Sequence, residues 1–286
     1  MKIQRLKNID PNDFLNEFIL KRVPVIITDG MESWDVEKFR PDYLRRRFGD
    51  QLVQVYNNLF DLQDIYSLEH YFNEYFDKEN TSDYYIRWYC KLKDEEFFWS
   101  DDVFEALKQF WSHPYFLPKN SFLVPYAGDN DTCFINEKGY PYKGLFISAK
   151  GARTRLHRDP FNSNAILCQF YGEKKIVLYS PDQEKYVMNN GDFVDILKPD
   201  YARFNHFNQS VSSYEDILQP GEIILFPSGW FHDVTCKSNS ISITWNFVHS
   251  QEKPDLIRFV NEHPGDGQLE IAKYFMKEKY KNLFNE

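Results

Sequence analysis

Cysteine is scarce and unpatterned in this 286-residue chain: Cys90, Cys133, Cys168 and Cys236 stand apart, with no C-x-x-C spacing. That excludes a zinc ribbon and gives no disulfide framework, so a reducing, cytoplasmic setting is expected, or a nuclear one in a eukaryote. Long apolar runs are missing too. A run such as EIILFP (222–227) falls far short of the ~20 residues that cross a bilayer, and the opening MKIQRLKNID has no apolar stretch of a secretory signal. Positive charge is in deficit, with 34 Lys+Arg against 43 Asp+Glu and a net charge of −9. A polynucleotide, which needs a basic footprint to displace its counterions, is the least favoured partner. A small molecule or a neutral to basic polypeptide suits the balance better. No internal repeat and no low-complexity linker divides the chain.

What is present reads as one globular domain over 1–286, since 42% hydrophobic and 27% charged residues leave ample material for a core. Aromatic content is high at 18%, with 26 Phe and 19 Tyr, which suits a β core around a roomy cavity. An N-terminal α/β part (1–120) is expected to have helices over 11–20, 37–48, 68–76 and 101–111. Asp10-Pro11 opens the first, Gly49 closes the second and Ser67 caps the third. Strands are expected over 23–28, 51–56 and 84–90. From 121 to 250 the texture changes to short strands with turn signals, at 143–148, 153–158, 165–171, 174–179, 222–226, 231–236 and 240–248. Gly172-Glu173 reads as a tight hairpin between the middle pair. Such a succession argues for a sandwich or barrel. The tail, 251–286, is again helical and charged.

Chemistry concentrates in L-H-R-D-P (156–160). On a strand, residues two apart share a face, so His157 and Asp159 project together. An imidazole beside a carboxylate suits a divalent transition metal, and two His with one carboxylate leave open positions at non-heme iron. H-x-D alone fits an ordinary surface pair equally well, so a third ligand is needed. His232 follows a strand and a Pro-Ser-Gly turn in PGEIILFPSGWFH (220–232). His206 and His249 lack such a frame, and His70, His113 and His263 fall in helical or loop segments. Lys174 shares its strand face with Ile176 and Leu178, and Lys175 with Val177 and Tyr179, so at most one of the two lysines turns inward. An inward one needs an anionic partner. The alternation alone does not choose between them.

Four ordered elements carry a resemblance: TRLHRDP (154–160), GEKKIVLYSPD (172–182), PGEIILFPSGWFH (220–232) and ITWNF (243–247), with KRVPVIITDG (21–30) as an N-terminal companion. Together they resemble the JmjC-type and related cupin-like iron(II)- and 2-oxoglutarate-dependent oxygenases, hydroxylase branch. The resemblance implies a mainly β fold with flanking helices. Its core would be a double-stranded β-helix (jelly roll, or cupin), with an N-terminal α/β part and a C-terminal helical extension. It implies His157, Asp159 and His232 as ligands of Fe(II), and Lys174 as the anchor of 2-oxoglutarate. Thr154, Asn246, Thr244 and Tyr85 match further co-substrate or site-lining positions. Asn162 and Asn164 both fall where relatives carry a site asparagine, and neither aligns cleanly. O2 would be the second co-substrate.

The implied reaction is a dioxygenase hydroxylation of a substrate C–H bond with succinate and CO2 as co-products. A protein or peptide side chain is the first expected substrate, a small molecule second, and a tRNA base third. Demethylation is less expected, since cysteine-rich reader modules are missing. Two readings from other classes stand beside this: a metal-dependent cupin enzyme that does not use 2-oxoglutarate, and a binding module on the same scaffold. Arg87, Trp88, Arg155 and Trp230 are expected near the substrate entrance. Ile257, Phe259, Ile271, Tyr274 and Phe275 form an apolar pattern in the tail, suited either to a homodimer contact or to packing on the chain's own barrel.

Overall fold

The computed structural model describes residues 1–78, 81–89, 100–124, 143–267 and 269. In chain order the strands are β1 (Gln4–Leu6), β2 (Val25–Ile27), β3 (Leu52–Tyr56), β4 (Leu62–Ser67), β5 (Tyr85–Tyr89), β6 (Phe122–Val124), β7 (Lys143–Ser148) and β8 (Arg153–Arg158). There follow β9 (Asn164–Tyr171), β10 (Lys174–Tyr179), the two-residue β11 (Met188–Asn189) and β12 (Asp192–Phe193), β13 (Tyr214–Leu218), β14 (Ile223–Phe226), β15 (Phe231–Cys236) and β16 (Ser240–His249). The helices are α1 (Pro11–Phe14), α2 (Pro41–Phe48), α3 (Leu68–Tyr71), α4 (Ser100–Leu107), α5 (Glu184–Val187) and α6 (Lys253–Glu262). No helix among the described residues is long and apolar enough to cross a membrane.

Among the described residues, ten strands form one sheet in the order β1-β2-β14-β9-β16-β7-β5-β3-β4, with β6 on β16. Four form a smaller sheet, β13-β10-β15-β8. The β1–β2 pair is parallel and the others are antiparallel. Leu167 and Ile224 of the larger sheet meet Ile176 and Leu178 of the smaller in one buried cluster, the face-to-face packing of a jelly roll. β9 and β16 lie in the middle of the larger sheet and are covered on both faces, which is why NAILCQFY reads as a nearly unbroken apolar run.

The aromatic excess sits mostly behind the cavity. Phe14, Phe39, Phe48, Trp111, Phe170 and Trp245 belong to the cluster between the N-terminal helices and the outer face of the larger sheet. Phe39 stacks on Phe170 at 3.9 Å between centroids. Large flat rings fill the irregular gap between helices and a twisted sheet while burying much area per residue. Across the molecule, Val187, Val194 and Phe204, from the segment between β10 and β13, cover the outer face of the smaller sheet against Leu156, Val177 and Phe231.

Helix starts follow the capping residues. Asp10 Oδ1 accepts from the Asn12 N–H at 2.8 Å, and Ser67 Oγ from the His70 N–H at 3.1 Å. Both helices then widen into a π turn, at Leu15–Ile19 and Phe72–Phe76. Two expectations are corrected. The helix over 37–48 is two pieces, a 3-10 turn Val36–Phe39 and α2, because Arg40 precedes Pro41 and is extended (ψ 153°). Gly49 closes α2 as expected, with φ −55°. Gly172-Glu173 is no hairpin: β9 pairs with β14 and β16, whereas β10 pairs with β13 and β15. The pair carries the chain from one sheet to the other. Gly172 has φ +71°, and a Cβ there would lie 1.9 Å from the Asn239 carbonyl oxygen. In the tail, α6 packs Leu256 and Phe259 against Val124, Phe161 and Val248 of its own chain. Ile271, Tyr274 and Phe275 lie outside the described residues.

Candidate functional site

The register of the smaller sheet sets His157 of β8 directly opposite His232 of β15. Their rings are 4.1 Å apart between centroids. Asp159 stands just past the end of β8, extended (φ −63°, ψ 151°) before Pro160. The chain then turns sharply through Phe161 (φ 44°) and Asn162 (φ 53°). Asp159 Oδ2 comes within 3.8 Å of His232 Nε2, and one ligand atom from each of the three residues lies within 4.8 Å of the others.

Both imidazoles are held from behind. The Nδ1–H of His157 donates to the Arg155 carbonyl at 2.8 Å, and that of His232 to the Trp230 carbonyl at 3.4 Å. This network assigns the tautomer and leaves each Nε2 lone pair for the cavity. Burial drives both groups toward the neutral form: His157 is lowered to about 3, with His232 beside it adding to the effect, and His232 to about 4. The His232 ring stacks on Phe226 at 4.5 Å. Below it, Arg153 of β8 grips Asp233 of β15 through Nε at 3.0 Å, and its Nη1 reaches Asp195 at 2.8 Å. The clamp sits at a bulge between His232 and Val234, so it ties the two ligand-bearing strands at the ligands themselves.

These groups open on a cavity of about 400 Å³. Its wall contains the triad together with Thr154, Lys174, Thr244 and Asn246. The open choice between lysines resolves: Lys174 is 4% exposed and its Nζ donates to Ser242 Oγ at 2.6 Å, whereas Lys175 pairs outside with Glu215 at 2.6 Å. Burial pulls the Lys174 ammonium below its usual range, so an anion entering the cavity meets a poorly solvated cation. The Thr244 hydroxyl donates to the Ile166 carbonyl at 2.9 Å, and the Asn246 amide to Ser163 Oγ at 3.2 Å. Phe146, Phe193, Phe226, Leu167 and Val234 supply the apolar remainder.

Some expected residues fall elsewhere. Tyr85 does not line this cavity; it is buried behind Phe146, stacked at 6.2 Å. Trp88 is buried against Phe48, and Trp230 is buried with its Nε1–H donated to the Arg22 carbonyl at 2.9 Å. Arg155 contributes its carbonyl to His157 while its guanidinium turns to Asp195 at 3.6 Å. Asn164 is structural: its Oδ1 accepts from the Ser228 N–H at 2.9 Å and pins the turn before His232. Asn162 faces a separate small pocket beside Glu252 and α6.

Arg87 is in the wall, and with it Phe60, which no sequence pattern singled out. Phe60 ends the turn after β3 with φ +66°. Asn57 Oδ1 builds that turn by accepting from the N–H groups of Leu59 (2.8 Å) and Asp61 (3.1 Å). The Phe60 ring thereby reaches 5.2 Å from His157, with the Arg87 guanidinium 4.6 Å over the Phe60 ring. The signal for it is the N-N-x-x-D cluster between two strands, a side-chain-built turn. A wider, more open cleft of about 880 Å³ lies elsewhere, lined by surface groups of both signs such as Glu37, Arg40, Asp77 and Lys78.

The description "Cupin-like domain" matches residues 11–253, and the chain belongs to that family. It is 26% identical over 300 residues to the chicken (Gallus gallus) 2-oxoglutarate and iron-dependent oxygenase JMJD4, covering 95% of this chain and 66% of the relative. It is 26% identical over 273 residues to the Arabidopsis thaliana arginine-specific demethylase JMJ20, covering 87% and 58%. With the zebrafish (Danio rerio) tRNA wybutosine-synthesizing protein 5 it shares 25% identity over 274 residues, covering 90% and 79%. The chain thus spans less than two thirds of the oxygenase and demethylase relatives.

Proposed function

We propose that the chain is an Fe(II)- and 2-oxoglutarate-dependent dioxygenase that hydroxylates a substrate C–H bond, releasing succinate and CO2. The carrying observation is convergence: two neutral imidazoles, one carboxylate and one buried ammonium face a single cavity, the imidazoles and the ammonium each fixed by a backbone or side-chain partner. His157, Asp159 and His232 would hold the metal, a donor set that suits non-heme iron and leaves room for other ligands. When bound, the iron and its co-substrate supply the oxidising chemistry.

The protein's own residues bind, orient and shield. Lys174 would pair with the distal carboxylate of 2-oxoglutarate, and Ser242 keeps its ammonium aimed into the cavity. Thr244 spends its proton on the Ile166 carbonyl, so its oxygen presents lone pairs to the site. Thr154 and Asn246 flank the same wall, and Phe146, Phe193 and Phe226 exclude water. Hydroxylation of an N-methyl carbon releases that carbon as formaldehyde, so a demethylase name among the relatives describes the same C–H chemistry. A polypeptide side chain is the substrate favoured here, ahead of a small molecule or a tRNA base. A reducing, cytoplasmic setting accords with the free buried thiols of Cys168 and Cys236.

The test is anaerobic optical titration with Fe(II) and then 2-oxoglutarate. A visible charge-transfer band is expected in the wild-type protein and is absent in Asp159→Ala. Iron bound in the wild type without the band overturns the 2-oxoglutarate reading.

A further inference from the structure

The larger sheet is wider than the smaller one, and the difference leaves a shelf. Phe146 and Ser242 are cross-strand partners on the face that looks into the cavity. Residues directly opposite share a face, as do residues two apart along a strand. Followed outward, that face passes from Phe146 to Arg87 on β5 and from Tyr85 to Tyr56 on β3. On β4 it then reaches Leu62, opposite Tyr56, and Ile65, opposite Gln54. Here the smaller sheet has ended. Leu52, Leu62 and Ile65 are 49%, 47% and 44% exposed, and Leu59 in the adjoining turn is 53% exposed. β4 is the last strand on its side among the described residues. The same turn carries Phe60 into the cavity wall beside His157, so the apolar shelf and the cavity mouth are continuous.

Charge selects what the shelf can take. From residue 51 to 69 there is no lysine or arginine, and Asp61, Asp64 and Glu69 are all exposed. Asp83 adjoins the turn, accepting from the Asn58 amide at 3.3 Å. A nucleic acid strand needs cations for its phosphates and aromatic faces for its bases, and the exposed surface here offers aliphatic side chains and carboxylates.

We propose that the β3–β4 shelf is the docking surface for the substrate, and that the substrate is an extended polypeptide segment with apolar side chains flanked by lysine or arginine. The apolar side chains lie on Leu52, Leu62 and Ile65, the basic ones face Asp61 and Asp83 at the adjoining turn, and the reacting side chain passes Phe60 into the cavity. This rests on the oxygenase reading for what happens next, and on the shelf alone for what binds.

The test selects a displayed library of short random peptides on the full chain, with total tRNA offered in parallel. Recovered peptides are then measured by fluorescence anisotropy on wild type, on Leu62→Ser/Ile65→Ser and on Asp61→Asn/Asp83→Asn. Peptides mixing apolar and basic residues are expected. Their affinity falls about tenfold in the first variant, as for loss of apolar anchors, and becomes less salt-dependent in the second. The iron–2-oxoglutarate band persists in both variants. No enrichment, peptide binding indifferent to both variants, or tRNA bound in preference each overturns the proposal. A missing band in wild type with peptide binding intact fails the oxygenase reading and leaves the shelf standing.

Discussion

The two sheets around the cavity meet opposite demands. The smaller sheet carries the triad strands, and there the polar groups are held from behind: His157 and His232 through Nδ1, and Asp233 through Arg153. The far end of the larger sheet is a hairpin with open apolar side chains and an edge strand exposed over four of its six residues. The contrast teaches that precision is concentrated where ligand atoms must stand within a few ångströms, and that adaptable surface begins one turn away. A rigid centre supported from behind, beside a permissive rim, is what positioned chemistry on varied substrates requires.

The largest effect that probes this contrast is expected at the clamp. Asp233→Ala leaves a buried guanidinium facing only Asp195, and about 3–5 kcal/mol of stability should be lost in urea unfolding; a loss below about 1 kcal/mol would show that the ligand strands are held by other means. Next comes pH. His157 and His232 stay neutral in the fold down to about 3 and about 4, whereas in the unfolded chain they take up protons below about 6.5. The unfolded state therefore binds more protons as pH falls, and metal-free protein should lose about 4 kcal/mol between about pH 7.5 and 5. His232→Gln should lessen that dependence, and an unchanged profile would refute the buried-neutral assignment.

A smaller effect separates the two lysines. Lys174→Met should weaken 2-oxoglutarate about 10- to 100-fold, the worth of a hydrogen bond to a charged group, without lowering the melting temperature, because a desolvated cation has been removed. Lys175→Met should leave the titration unchanged. The smallest is on the shelf: Ile65→Ser should alter folding stability by no more than about 0.5 kcal/mol, read as an unchanged thermal midpoint. A larger loss would mean that the shelf is part of the core.

The strands of the jelly roll were legible because β-branched and aromatic runs between turn residues need no partner information. The cross-over at Gly172 was misread for the same reason: two adjacent strands look alike whether they pair or part, and the carbonyl of Asn239 that forbids a side chain there is 67 positions away. β4 escaped notice because LQDIYS is an edge strand, polar at its centre and covered on one face at most. Spacing and frame offered His157, Asp159 and His232 as candidates and the family resemblance joined them with Lys174, whereas strand alternation by itself could not separate Lys174 from Lys175. Phe60 was invisible because its place depends on a left-handed residue in a turn built by Asn57. Asn164 looked like a site residue and is a brace, since its partners Ser228 and Glu252 come from two distant segments.

The corner at Gly172 is also a ruler. Two residues separate Tyr171, the last of the larger sheet, from Lys174, the first of the smaller. Loss of one of them would slide β10 by a position and turn its whole face over. Lys175 would then arrive where Lys174 had been, with an ammonium still at the head of the cavity, while Ile176 would take the part-exposed place of Lys175 and Leu178 that of Val177 in the outer cluster. The lysine doublet thus insures the charge against a slip in length and leaves the packing uninsured, so drift in this corner is policed by the core and not by the chemistry.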